Sequence, residues 1–136
     1  LIRLINFINT NASENLFEKA KKNFEKKDYD KSKFLFQRNI VFNPKNAESY
    51  LYLAKIFKTE ENQEEEEKNL DTALLLEPNN EEAIYMLINI QLDRSNFDKA
   101  NTLMDRFASV CKKMCNKKKE ISKSLQDFEA NNAKTN

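Results

Sequence analysis

Cys111 and Cys115 are the residues of this chain best able to act as nucleophiles, and they stand four apart where the apolar positions keep helical spacing. No histidine accompanies them, so the commonest general base, metal ligand and neutral-pH switch are all missing. Two thiols alone cannot complete a four-ligand zinc site. The favoured reading is a pair of small buried apolar side chains, on a helix that runs on through Phe107, Val110, Cys111 and Met114. A disulfide or redox pair is the alternative. Were the helix to end near Lys112, a local bridge would become possible and would imply an oxidising compartment; otherwise a cytoplasmic location is expected. No enzyme activity, metal or cofactor is expected from this set of residues.

Two charge clusters come next. Glu60, Glu61, Glu64, Glu65, Glu66 and Glu67 form the densest acidic run. It could dock a basic partner or weakly hold a divalent cation, but it lacks the glycine and the ligand spacing of a calcium loop. A solvated turn and helix start accounts for it better, because acids near a helix N-terminus complement the dipole. Lys112, Lys113, Lys117, Lys118 and Lys119 form the basic counterpart. With no arginine or aromatic platform interleaved, they read as a solvated helix terminus and not as a nucleic-acid site.

The elements that would position these residues must be helical. The 136 residues include no glycine and only two prolines, which removes the usual materials of tight hairpins and phosphate-cradling loops. Apolar residues make up 40% and charged residues 33%, enough to fold and to stay in solution as a single domain. The net charge of +1 gives no global pull toward nucleic acid or an anionic membrane, and no apolar run approaches the length of a membrane span. The chain opens Leu1-Ile2-Arg3 without an initiator methionine and reads as a fragment or processed product.

Pro44 and Pro78 lie 34 residues apart, each after an apolar helical stretch and ahead of an asparagine and a glutamate. Registers starting at Ser13, Ala47 and Glu81 stack Leu16, Tyr50 and Ile84, then Ala20, Ala54 and Ile88, then Phe36, Leu70 and Met104. Asp28, Asn62 and Asn96 share one position before each second helix, where a side-chain oxygen can cap free N–H groups. This period and pattern resemble the tetratricopeptide repeat, whose two helices alternate large and small apolar residues and end in proline. The resemblance implies an all-α fold, a right-handed superhelical α-solenoid of antiparallel helix hairpins. It contains three repeats (13–46, 47–80, 81–114) and a capping helix over 118–130 with Ile121, Leu125 and Phe128 on one face. Leu1, Leu4, Ile5 and Ile8, within 1–10, have the spacing of an orphan helix from a preceding repeat. Glu66, where the family keeps a small residue, and Gln63, in place of an aromatic, predict a loosely packed or shifted second hairpin.

The resemblance also implies a function: a non-enzymatic scaffold that takes a peptide segment on the concave face made by the first helices. That face maps to Glu14, Phe17, Lys21 and Phe24, then Glu48, Leu51, Lys55 and Lys58, then Glu82, Tyr85, Asn89 and Leu92. Phe17, Leu51 and Tyr85 would form one ladder, with Lys21, Lys55 and Asn89 beside it, suiting a partner with apolar anchors and acidic character. One branch of the family grips chaperone tails through a Lys, Asn, Asn, Lys and Arg clamp. Phe17, Lys21, Tyr52, Glu82 and Met86 stand at those places, so the clamp is absent. The competing reading is a structural assembly protein that self-associates as a homo-oligomer through the N-terminal helix and the repeat edge.

Overall fold

A computed structural model describes residues 15–135. The N-terminal stretch with Leu1, Leu4, Ile5 and Ile8, and also Glu14, lies outside the described residues. The described residues form helices α1 (15–25), α2 (Tyr29–Phe42), α3 (Ala47–Thr59), α4 (Gln63–Leu76), α5 (Glu81–Asp93), α6 (Phe97–Val110) and α7 (Lys117–Thr135), and no strand. The starts of α2, α4 and α6 repeat every 34 residues, as do those of α3 and α5. The chain divides into two compact units, Leu1–Leu76 with α1 to α4 and Glu77–Asn136 with α5 to α7.

The turn inside each hairpin is built the same way. Lys27, Glu61 and Ser95, at the 34-residue period, hold positive φ values of 61°, 56° and 60°. Each lets the next residue's N–H reach back to the final turn of the preceding helix: Asp28 to the Asn23 carbonyl, Asn62 to Phe57 and Asn96 to Gln91. That is the Schellman end of a helix, which normally takes glycine because a Cβ is disfavoured in the left-handed region. This chain has none to offer. Replacing Lys27, Glu61 or Ser95 singly with glycine is therefore expected to stabilise the fold by about 0.5 to 1 kcal/mol, read as an upward shift in a chemical denaturation midpoint.

The residue after each positive φ then starts the second helix. Asp28 accepts from the Lys31 N–H at 3.4 Å and Asn62 from the Glu65 N–H at 3.2 Å, so these two cap as expected. Asn96 does not: its amide is turned inward to donate to Gln91 Oε1 at 3.2 Å. Two further caps serve the first helices, with Asn46 accepting from Ser49 N–H at 2.7 Å and Asn80 from Ala83 N–H at 3.0 Å.

Small and large residues alternate in the interior as close helix packing requires. Ala20, Ala54 and Ile88 are fully buried at one repeat position, and Phe36 and Leu70 at another. In the first unit Ala20, Phe36, Leu53, Ile56 and Phe57 form a cluster flanked by Phe17, Phe24, Tyr29, Leu35, Ile40 and Tyr52. Two buried polar groups link its helices: Ser32 Oγ donates to the Ala20 carbonyl at 2.8 Å, and Asn39 Nδ2 to Ser49 Oγ at 2.9 Å. Glu66 is buried at the repeat position of Ser32 and Ala100, yet α4 keeps its 34-residue offset from α2. The expected shift of the second hairpin does not occur, because the glutamate is accommodated without moving the helix.

The second unit departs from expectation at its end. Instead of running through Met114, α6 stops at Val110. Cys111 still donates to the Phe107 carbonyl at 2.8 Å, but its ψ of 143° turns the chain away from the helix. What competes with helix continuation is Glu81 on α5, whose carboxylate accepts the N–H groups of Lys112, Lys113 and Met114 at 2.6, 2.9 and 3.2 Å. The capping helix α7 is longer than expected; it buries Ile121 and Leu125 and stacks Phe128 on Phe97.

Candidate functional site

In the first unit the spacing of α1 puts Phe17, Lys21 and Phe24 on one half-buried row. The two phenylalanine rings meet Tyr52 of α3. Tyr52 lies stacked on the buried Phe36 ring, with centroids 4.9 Å apart and planes at 12°. It is also edge-on to Phe24 at 5.1 Å and to Phe17 at 6.3 Å, and Phe24 in turn meets Tyr29 at 5.4 Å. Stacked and edge-to-face contacts match the ring quadrupoles and make the cluster stiff. Two ammonium groups lie over it, with Lys21 Nζ 5.4 Å from the Phe17 centroid and Lys55 Nζ 4.9 Å from that of Tyr52. Each such contact is worth about 0.5 to 1 kcal/mol at a partly exposed site. The outcome is a pair of positioned cations over a rigid apolar floor, an arrangement that can receive a carboxylate beside an apolar side chain.

Not every expected contact shares this face. Leu51 is only 5% exposed and belongs to the interior, and Lys58 is exposed near the end of α3. Tyr52, assigned from sequence only to an absent clamp, is the ring that joins the others. Its neighbours Leu51 and Leu53 are both buried, so alternation by itself could not single it out.

In the second unit Tyr85, Asn89 and Leu92 are half-buried on α5. The Tyr85 hydroxyl donates to Glu120 Oε1 at 3.0 Å, and Lys117 Nζ lies 5.5 Å from the Tyr85 centroid while bonding Glu120 Oε2 at 3.3 Å. The first turn of α7 thus covers part of Tyr85. The Tyr85 hydrogen bond, and then Lys117, hold the Glu120 carboxyl below its usual range, and the bond that Lys117 donates to Glu120 raises Lys117. Of the other clamp places, Glu82 is half-buried and Met86 is buried.

The cysteines differ from the favoured reading. Cys111 and Cys115 are joined in a disulfide with Cα atoms 5.3 Å apart, made feasible because α6 ends one residue before Cys111. Lys117, Lys118 and Lys119 likewise open α7 and do not close α6, so they oppose the dipole they were expected to complement. In the acidic run, Glu64, Glu65 and Glu66 fill the first turn of α4, Glu60 pairs with Lys33, and Glu65 with Lys68. Among the described residues no helix is long and apolar enough to cross a membrane.

No protein-family model matches the sequence, and no curated protein matches it. Solved structures do. The tetratricopeptide domain of Arabidopsis OM64 superposes with a TM-score of 0.77 at 20% identity, covering 88% of this chain and 98% of that one. The first such domain of Spaghetti (RPAP3), bound to the HSP90 peptide SRMEEVD, gives 0.72 at 17% identity, covering 85% and 94%. The Yersinia enterocolitica type III secretion chaperone SycD, in complex with a peptide of the translocator YopD, gives 0.74 at 11%, covering 88% and 93%. The chain has the tetratricopeptide-repeat fold, an all-α helical solenoid.

Proposed function

We propose that this protein is a non-enzymatic interaction module that binds a peptide segment of a partner, one with apolar anchors and acidic character. The observation that carries this reading is the aromatic floor of Phe17, Phe24 and Tyr52 with Lys21 and Lys55 above it. Solved domains of the same fold hold peptides of HSP90 and of a translocator, which supports a peptide as the kind of ligand. Lys58 on α3, and Tyr85, Asn89 and Leu92 on α5 of the second unit, are the further residues assigned to ligand binding by their repeat positions. There is no histidine to serve as the base that would activate either cysteine as a nucleophile. The missing chaperone-tail clamp argues for a ligand recognised by internal acidic and apolar residues and not by its terminal carboxylate alone.

A peptide pairing an aromatic or leucine anchor with flanking glutamates is the probe. Lys21→Glu with Lys55→Glu is expected to weaken its binding in calorimetric titration by at least about a hundredfold, since two attractive charges become repulsive. Far-ultraviolet circular dichroism should be unchanged. Affinity retained by the double variant would put the interface elsewhere.

A further inference from the structure

The five residues from Cys111 to Cys115 form a disulfide-closed ring that touches three helices. At its start the Cys111 N–H is bonded to α6 through the Phe107 carbonyl. In its middle the N–H groups of Lys112, Lys113 and Met114 all converge on Glu81, in the first turn of α5. At its end the carbonyls of Met114 and Cys115 accept the first N–H groups of α7, from Lys117 at 2.9 Å and Lys118 at 3.2 Å. The residues that cover Tyr85, Lys117 and Glu120, sit in that same first turn of α7.

This start of α7 is weak by sequence. Three consecutive lysines, Lys117, Lys118 and Lys119, occupy the positive end of the helix dipole, opposed in the first turn by the single acid Glu120. The ring leads directly into it, and the convergent N–H groups require three neighbouring residues to hold fixed dihedrals against a conformational entropy cost of about 1 to 2 kcal/mol each. The covalent closure removes most of the alternatives those residues would otherwise sample. Both cysteines are half-buried, so a small reductant can reach the bond.

We propose that the Cys111–Cys115 disulfide is a redox latch that controls access to Tyr85. This rests on the reading that Tyr85 is one of the peptide-binding residues, and it adds the regulation of its exposure. In the oxidised chain the ring fixes the start of α7, and Lys117 and Glu120 cover Tyr85. A dithiol reductant breaks the S–S bond, supplies two electrons and two protons to give two cysteine thiols, and is itself oxidised to a disulfide. The ring then opens, the first turn of α7 frays, and Tyr85 becomes available.

Hydrogen exchange of the full chain, with no peptide present, with and without dithiothreitol, tests the latch. Amides 117–121 should exchange at least about tenfold faster in the reduced protein while amides 86–90 of α5 keep their protection. Cys111→Ser with Cys115→Ser should match the reduced pattern and be insensitive to reductant. Equal protection of 117–121 in the two redox states of the native chain would overturn the latch, as would a response to reductant in the double serine variant. Since no ligand is present, these outcomes do not depend on the binding reading. That reading is tested separately by Tyr85→Ala in the reduced chain: a fall in peptide affinity supports the regulatory link, and unchanged affinity overturns it.

Discussion

Phe36→Ala is expected to destabilise the first unit by about 3 to 5 kcal/mol. Phe36 is fully buried, Tyr52 is stacked on its ring, and Phe17 meets it edge-on at 5.8 Å. Truncation therefore removes the transfer free energy of the ring and leaves a void that the stiff aromatic neighbours cannot easily refill. A domain of this size has only about 5 to 15 kcal/mol in total, so one such cavity removes a large share. Two residues earlier on the same helix, Phe34 is 56% exposed, and Phe34→Ala should stay within about 0.5 kcal/mol. Chemical denaturation of the two variants side by side measures both. Comparable losses would mean that α2 does not present Phe36 to the interior.

The second large effect centres on Glu81. Glu81→Ala is expected to cost about 1 to 2 kcal/mol, because three backbone donors lose a charged acceptor at once while water partly compensates at this half-exposed site. The same contacts set a pH dependence. Desolvation pushes the Glu81 carboxyl up, but the hydrogen bonds from Lys112, Lys113 and Met114, with the charge of Lys113, outweigh it and hold the group below its ordinary value of 4.5. A carboxyl depressed on folding contributes stability that is complete above the unfolded value and is lost as pH falls through the folded one. Thermal stability should therefore fall below pH 4.5 more steeply in the native chain than in Glu81→Gln, whose neutral amide oxygen cannot titrate. Parallel profiles for the two would remove Glu81 as the acid-sensitive group.

The two effects differ in how far they could be read from the chain. Phe36 was legible because burial repeats with the 34-residue period, and Leu70 and Met104 share its register. Glu81 was not. Nothing about a glutamate in the first turn of a helix distinguishes one that merely complements the dipole from one that gathers three N–H groups from 31 to 33 residues further on. Lys21 and Phe17 were legible as neighbours on one helix face, since spacing of four suffices. Tyr52 was missed because its place over the cluster depends on how α3 meets α1 and α2, which no local spacing reports. The left-handed turns at Lys27, Glu61 and Ser95 were hidden for a simpler reason: glycine, the residue that usually marks them, is absent.

By itself the sequence determined the helical period, the hairpin spacing and the apolar faces, because these follow from side-chain volume and polarity repeating along a chain. It also determined the scarcity of chemistry, since a residue type that is absent is absent in any fold. The tertiary structure alone decided where α6 stops, whether the two cysteines bond, and which lysines start α7. Those outcomes rest on backbone donors meeting a distant carboxylate, and such a meeting depends on helix packing that no local pattern encodes.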